Sequence, residues 1–538
     1  MLKAAEIFQN NMVIQRDKPV ILWGQASPEA KVCARIQEKS GETNAGSDGY
    51  WKLSLPSLKA SRQETLVISS GEEVLAFENI AVGEVWVAGG QSNMEFHMRY
   101  EKHRKEEFAL PPNPNLRFFD VPEVSYDGQK DDFDYSPMGV WRMAGEKDGE
   151  YLSLEYFSAV GYYFQKELEQ DLHVPVGIIG CNWGGTPSCA WISRETVEKT
   201  GDPWIQDYKD QTRDIDMDHY WKMQRSNPMN GRGTPFSDPF GEFVLAGTPS
   251  PEEVNEKMGF GSQEVPEYFT MIHSESMPGA LYEHMVKTIA PFDIRGVLWY
   301  QGESDDVPGR QTLYKDMLLG LMKDWRGLWG EESLPFLIVQ LPGWDHWLDL
   351  VNHDYAAIRR CQQQAVDASP NSWLCSISDA GQKDDIHPKD KKTVGHRLAL
   401  LARGHVYGEA ILCDAPKGIS ASLTNTRNIE ITFENAGNGL NIQTDPEGQK
   451  ELPKASDAAK AGKTIESSGK IEGLEVMADG VPTEFDAKVM KDKVVLVLKT
   501  PVKEQAVIRF AQGKWYKVNL YNSAHIPAVP FEFTIHCV

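Results

Sequence analysis

Five apolar runs in this sequence each end in side chains able to do nucleophilic or acid–base chemistry. "IAVGEVWVAGG" leads into Gln91-Ser92-Asn93, and "VPVGIIG" leads into Asn182-Trp183-Gly184-Gly185-Thr186. "IRGVLWY" is followed by Gln301-Gly302-Glu303-Ser304-Asp305, and "LPFLIVQL" by Gly343-Trp344. "SWLCSIS" precedes Asp379-Ala380-Gly381 and then Asp384-Asp385-Ile386-His387-Pro388. A serine hydroxyl is a weak nucleophile until an adjacent base takes its proton. Histidine is the usual base, and a carboxylate usually orients its ring. Ser92 is therefore the candidate nucleophile and His387 the candidate base. Asp384, three residues before His387, is the expected carboxylate partner, and Pro388 is expected to open the helix that follows.

Acyl transfer also needs donors aimed at the developing oxyanion. Glycine lets backbone N–H groups approach closely, so Gly184 and Gly185 can supply them beside the N–H of Ser92. Gln301 can add a side-chain amide. Gln91, Asn93 and Glu303 are the neighbours able to support these groups. Each feature alone has a plainer explanation: a serine at a strand end most often caps a turn, and a lone D-x-x-H is most often a surface loop. Their joint placement after successive apolar runs is what points to one site.

Near-continuous apolar runs indicate strands buried on both faces, hence a parallel sheet. Amphipathic segments lie between them, with Leu313, Met317 and Leu321 at helical spacing, as are Val394, Leu398 and Leu401. The alternation predicts an α/β doubly wound domain of about five strands over 83–408, with an insertion at about 195–280. In such sheets ligands bind outside the carboxyl ends of the strands, where the polar residues above fall. Residues 1–82 predict an N-terminal β-domain, from alternation at Trp51, Leu53 and Leu55. Residues 409–538 predict a second one, with the same alternation at Ile429, Ile431 and Phe433. Within it, Gly448–Lys470 reads as a loop. "AGKT" at 461–464 does not make a phosphate loop, because Asp457 stands where that motif needs glycine.

The chain of 538 residues carries a net charge of −23, which argues against nucleic acid as a partner. Mean hydropathy is −0.44, and no apolar run is long enough to span a bilayer. No signal segment opens the sequence. The seven cysteines contain no C-x-x-C pair, so neither a zinc ribbon nor a redox motif is indicated. A Cys181–Cys189 bridge is left open.

The combined motifs resemble the SGNH (GDSL-like) hydrolases and, within them, the sialate O-acetylesterase family, related to the plant-type acetylxylan esterases. "VWVAGGQSNMEF", "GIIGCNWGGTPSCAWIS", "PGALYEHMV" with "IAPFDIRGVLWYQGESD", and "DIHPKDK" are similar to that family's four blocks. "MVIQRDKPVILWGQA" is similar to its leading β-domain. The resemblance implies Ser92 as nucleophile, His387 with Asp384 as base and partner, and an oxyanion hole of Ser92, Gly185 and Gln301. It implies no cofactor and no metal, an O-acetylated sugar as substrate (sialic acid first, acetylated xylan or another glycan as the alternative), and a periplasmic or secreted location. Q-G-E stands where other SGNH enzymes carry G-x-N-D. Arg99, Arg142 and Arg295 are candidate contacts for a sugar carboxylate. A carbohydrate-binding protein with an idle hydrolase core is the non-enzymatic alternative.

Overall fold

The computed structural model describes residues 1–149, 151–226, 243, 245, 247, 249–258, 271–348, 350, 353–443 and 467–537. "AGKT", most of the expected C-terminal loop and part of the insertion lie outside them. The chain divides into two compact units, Met1–Ser304 with Asp316–Phe336, and Asp305–Lys315 with Leu337–Val538.

In the first unit, β1 (Glu73–Gly90) leads into the short helix α1 (Ser92–Glu95). Then come β2 (Asn113–Asp120), β3 (Trp141–Ala144), α2 (Ala159–Leu172) and β4 (Val176–Asn182). Helices α3 (Arg194–Thr200), α4 (Asp202–Thr212), α5 (Met217–Ser226) and α6 (Pro251–Met258) occupy the described part of the insertion. β5 (Gly296–Tyr300) and α7 (Tyr314–Trp329) follow. The sheet order is β3-β2-β4-β1-β5. β4 runs parallel to both β1 and β2, and β5 runs parallel to β1. Gly90 is the register partner of Asn182 on one side and Tyr300 on the other. Three strands therefore end at one level, and the loops carrying Ser92, Gly185 and Gln301 leave from it together.

The sheet is mixed rather than wholly parallel, because β3 pairs antiparallel with β2 at the edge. "NPNLRFFD" hides β2 by carrying Pro114 and a charge at Arg117. That guanidinium is buried and donates to the carbonyls of Pro114 and Asn11 at 2.9 Å, which satisfies it inside the fold. The expected boundary at 82/83 falls inside β1. The first part of β1 pairs antiparallel with strand Ser61–Ser70, and Ala81–Gly83 pairs parallel with Val13–Gln15. The N-terminal β-region and the α/β sheet thus share a strand. Elsewhere in that region, Trp51, Leu53 and Leu55 are buried as the alternation requires.

In the second unit, β6 (Phe336–Val339), α8 (Ala356–Ala368), β7 (Ser372–Cys375) and α9 (Lys391–Leu401) follow in order, and β6 neighbours β7. The C-terminal region has an antiparallel sheet ordered 417–425, 428–434, 493–498, 485–490, 467–468. A second has the order 481–482, 474–478, 505–510, 531–536. Ile429, Ile431, Leu496, Ile508 and Phe510 fill one core between them. No helix among the described residues is long and apolar enough to cross a membrane.

Candidate active site

Gly90 makes the turn that presents Ser92. Its φ is +139°, and a Cβ there would stand 2.1 Å from the Tyr300 carbonyl oxygen. Only glycine brings β1 and β5 this close while reversing the chain. Gln91 then caps α1, its N–H donating to the Tyr300 carbonyl at 3.2 Å. The Gln91 side-chain oxygen accepts from the N–H of Ser304 at 3.3 Å and of Gly302 at 3.5 Å. Asn93 Nδ2 donates to Glu303 Oε1 at 2.6 Å, and both residues are buried. The Q-G-E stretch thus braces the turn that presents Ser92. Ser92 itself is half-buried at the start of α1, where the helix dipole favours negative charge, weakly for so short a helix.

The loop after β4 is fixed from two sides. Gly184 N–H donates to Glu95 Oε2 at 2.6 Å, and Gln301 Nε2 donates to the Thr186 carbonyl at 3.2 Å. Between these anchors Gly185 is exposed, with φ +77°, and no atom stands within 4 Å of where its Cβ would be. Gly184 is therefore a spacer held against α1, its own N–H spent on Glu95. Gln301 is fully buried, and one N–H of its amide serves the loop. Sequence reasoning missed Glu95. Its place one turn after Ser92 in "GQSNME" was the available signal. Glu95 also acts on Asp120 at the end of β2. The Asp120 carboxyl is pushed up to about 7, first by burial and then by the Glu95 charge, against the pull of Arg142.

In the second unit, His387 is buried after β7, with Trp347 edge-on to its ring at 4.9 Å between centroids. Asp384, the expected partner, lies at the surface. Asp385 is buried instead. Its Oδ1 accepts the His387 N–H at 2.8 Å and lies 3.8 Å from the His387 Nδ1, within ion-pair reach but longer than a hydrogen bond. Lys389 Nζ holds the other Asp385 oxygen at 2.9 Å. The turn closed by that backbone N–H carries residue 385 inward and residue 384 outward, so Asp385 and not Asp384 is the carboxylate beside the ring. Burial raises the Asp385 carboxyl above its ordinary value, opposed by Lys389. Burial, then Lys391 and Lys389, holds His387 well below 6.5. A neutral imidazole is the form a general base needs. α9 opens after Asp390, whose Oδ1 accepts the Thr393 N–H at 3.1 Å, rather than at Pro388.

Of the three arginines, Arg295 donates to buried Glu84 at 2.8 Å from the amino end of β5, opposite to Ser92. Arg142 donates to Asp148 at 2.9 Å, and Arg99 lies over the rings of Tyr100 and Tyr156. No disulfide joins Cys181 and Cys189, both buried. His405, Cys413 and Asp414 bring metal-ligand atoms within 4.8 Å of one another. There the His405 Nε2 already meets both Asp414 oxygens at 2.9 Å, the ring stacks on Trp373, and burial pushes the Cys413 thiol up to about 12. That is a satisfied His–Asp pair beside a protonated thiol.

Residues 267–402 match the family described as carbohydrate esterase, sialic acid-specific acetylesterase. That span contains Gln301, Glu303, Asp385 and His387. Over 439 residues the chain is 26% identical to the sialate O-acetylesterase of Rattus norvegicus, covering 75% of this chain and 73% of that protein. The Homo sapiens sialate O-acetylesterase is 24% identical over 435 residues, covering 75% and 71%. The fold is similar to that of XAC1771, a carbohydrate acetylesterase from Xanthomonas citri, with TM-score 0.71, 24% identity and 99% of each chain covered. Residues 267–402 thus carry the match to the carbohydrate esterase, sialic acid-specific acetylesterase family, and the chain is a distant homologue of the sialate O-acetylesterases.

Proposed function

We propose that this protein is a serine esterase that removes O-acetyl groups from sialic acid through an acyl-enzyme. Ser92 Oγ attacks the ester carbonyl carbon while His387 takes the hydroxyl proton. The tetrahedral oxyanion is held by the N–H groups of Ser92 and Gly185 and by the side-chain amide of Gln301. Collapse breaks the bond to the sugar oxygen, which leaves with the proton from His387. Water then attacks the acetyl-serine by the same route reversed and releases acetate. Asp385, 3.8 Å from the His387 Nδ1, is placed to balance the imidazolium charge.

The observation that carries the reading is the aligned end of three parallel strands. There Ser92 opens a helix beside an exposed Gly185 whose loop is tied down on both flanks. The relatives named above support sialic acid as the sugar. Hydrolysis of 4-nitrophenyl acetate by the wild type and its loss in Ser92→Ala tests the esterase. O-acetylated sialic acid assayed beside acetylated xylan tests the sugar, and a preference for xylan would overturn the sialate assignment while leaving the esterase standing.

A further inference from the structure

The insertion helps line a cavity in the first unit, of about 480 Å³, a size suited to a small ligand. Its walls come from the loop after β2, the start of α3, helices α4 and α5, and the turn at Met277–Ala280. The floor is fixed by buried hydrogen bonds. Ser125 Oγ meets Ser274 Oγ at 2.8 Å, the Ser125 N–H donates to Gln129 Oε1 at 2.8 Å, and Gln129 Nε2 donates to the Tyr135 hydroxyl at 2.6 Å. Tyr126, on that floor, packs its ring 5.2 Å from Trp221 of α5. Trp221 is braced by Tyr220, whose hydroxyl donates to the Ile272 carbonyl at 2.9 Å. Tyr208 of α4 lies under the Arg194 guanidinium at 5.1 Å. The pocket is a preformed aromatic shelf with a polar rim.

The rim decides the ligand. Arg194 pairs with Glu198 at 3.3 Å and Arg225 with Asp132 at 3.9 Å. Glu283 pairs with Lys287 at 2.6 Å, and His284 lies 3.8 Å from Asp127. The two arginines of the rim already face carboxylates, so an entering anion would compete with Glu198 and Asp132. A neutral pyranose has what the shelf and rim can use: a C–H face to lie on a ring, and hydroxyls that both donate and accept around its edge.

We propose that this cavity is a binding subsite for a neutral pyranose unit of the glycan. The glycan as ligand rests on the function proposed above, but the chemistry of the pocket does not depend on turnover. Saturation-transfer NMR on the full chain with unacetylated lactose and xylotriose, beside N-acetylneuraminate, tests it. Lactose or xylotriose is expected to bind at millimolar concentration, equally in low salt and in 0.5 M NaCl. Binding should persist in Ser92→Ala and in Trp221→Phe, and vanish in Trp221→Ala with its melting temperature unchanged. Should Trp221→Ala unfold, Tyr208→Ala replaces it, with a severalfold loss of affinity expected. No binding of either neutral sugar, binding that survives these variants, or binding of N-acetylneuraminate alone would overturn the proposal. Because Ser92→Ala is blind to sugar binding and lethal only to turnover, failure of the subsite and failure of the esterase reading are separate results.

Discussion

Glu95 closes the four-residue helix that Ser92 opens, and its carboxylate holds the Gly184 N–H. The side chain ties the helix that Ser92 opens to the loop that presents Gly185. Displacing an oxyanion donor costs rate rather than ground-state binding. Glu95→Ala is expected to lower kcat on 4-nitrophenyl acetate on the order of 10²-fold with KM little changed. Glu95→Gln keeps an acceptor oxygen and should recover most of that loss. Equal activity in both variants would remove Glu95 from the positioning role. His387 gives a second prediction at this scale. Its pKa is held below 6.5 by burial and by Lys391 and Lys389, so the ring stays neutral as pH falls through 6.5. The acid limb of kcat/KM is therefore expected below pH 6.5. It should move upward in Lys389→Gln, which removes one charge that disfavours the imidazolium. A limb at or above 6.5 in the wild type would contradict the burial argument. Residue type and spacing single out Ser92, Gly185 and His387 as candidates, because a nucleophile, a backbone donor and a base are chemically distinctive. Which of Asp384 and Asp385 is buried beside the ring was not legible, because adjacent aspartates differ only in which way the turn carries them.

Among elements, the apolar runs of β1, β4, β5, β6 and β7 were all legible, since strands buried on both faces leave a continuous signature. β2 was not, because its buried Arg117 is satisfied in part by a carbonyl distant in sequence, that of Asn11, and β3 is a short edge strand. The unbroken passage of β1 through residue 82 was also hidden. Gly83 reads as a break in sequence, but in the fold it is where the Pro175 carbonyl oxygen would stand 1.9 Å from a Cβ, so it marks close packing instead of a turn. The end of the same strand carries the next prediction. Gly90→Ala would force a methyl against the Tyr300 carbonyl at a φ that alanine rarely adopts. It is expected to destabilise the fold by about 3 kcal/mol, read as a lower urea midpoint at unchanged slope. Gly185→Ala has a positive φ but open space, so it should cost less stability and more activity. If the two glycines behaved alike in urea, the close approach of β1 and β5 would not be what requires Gly90.

At the scale of the whole chain, the proposed nucleophile and oxyanion donors belong to one compact unit and the proposed base with its carboxylate to the other. Each half is internally complete: Gln91, Asn93, Glu95 and Gln301 fix the first, and Asp385, Lys389 and Trp347 fix the second. Neither half can make an acyl-enzyme efficiently alone, because a serine without a base is a poor nucleophile and a base without a nucleophile has no proton to take. This assigns a definite pattern to the combined variants. Ser92→Ala and His387→Ala should each lower kcat/KM on 4-nitrophenyl acetate on the order of 10⁴-fold or more, and the double variant should be no worse than either. Asp385→Asn should cost less than either, and nothing further when added to His387→Ala, since its effect passes through the ring. Asp384→Asn, at the surface, should leave the rate unchanged. Multiplicative losses in the Ser92–His387 pair would mean that the two side chains act in separate steps, and the acyl-enzyme mechanism would have to be given up.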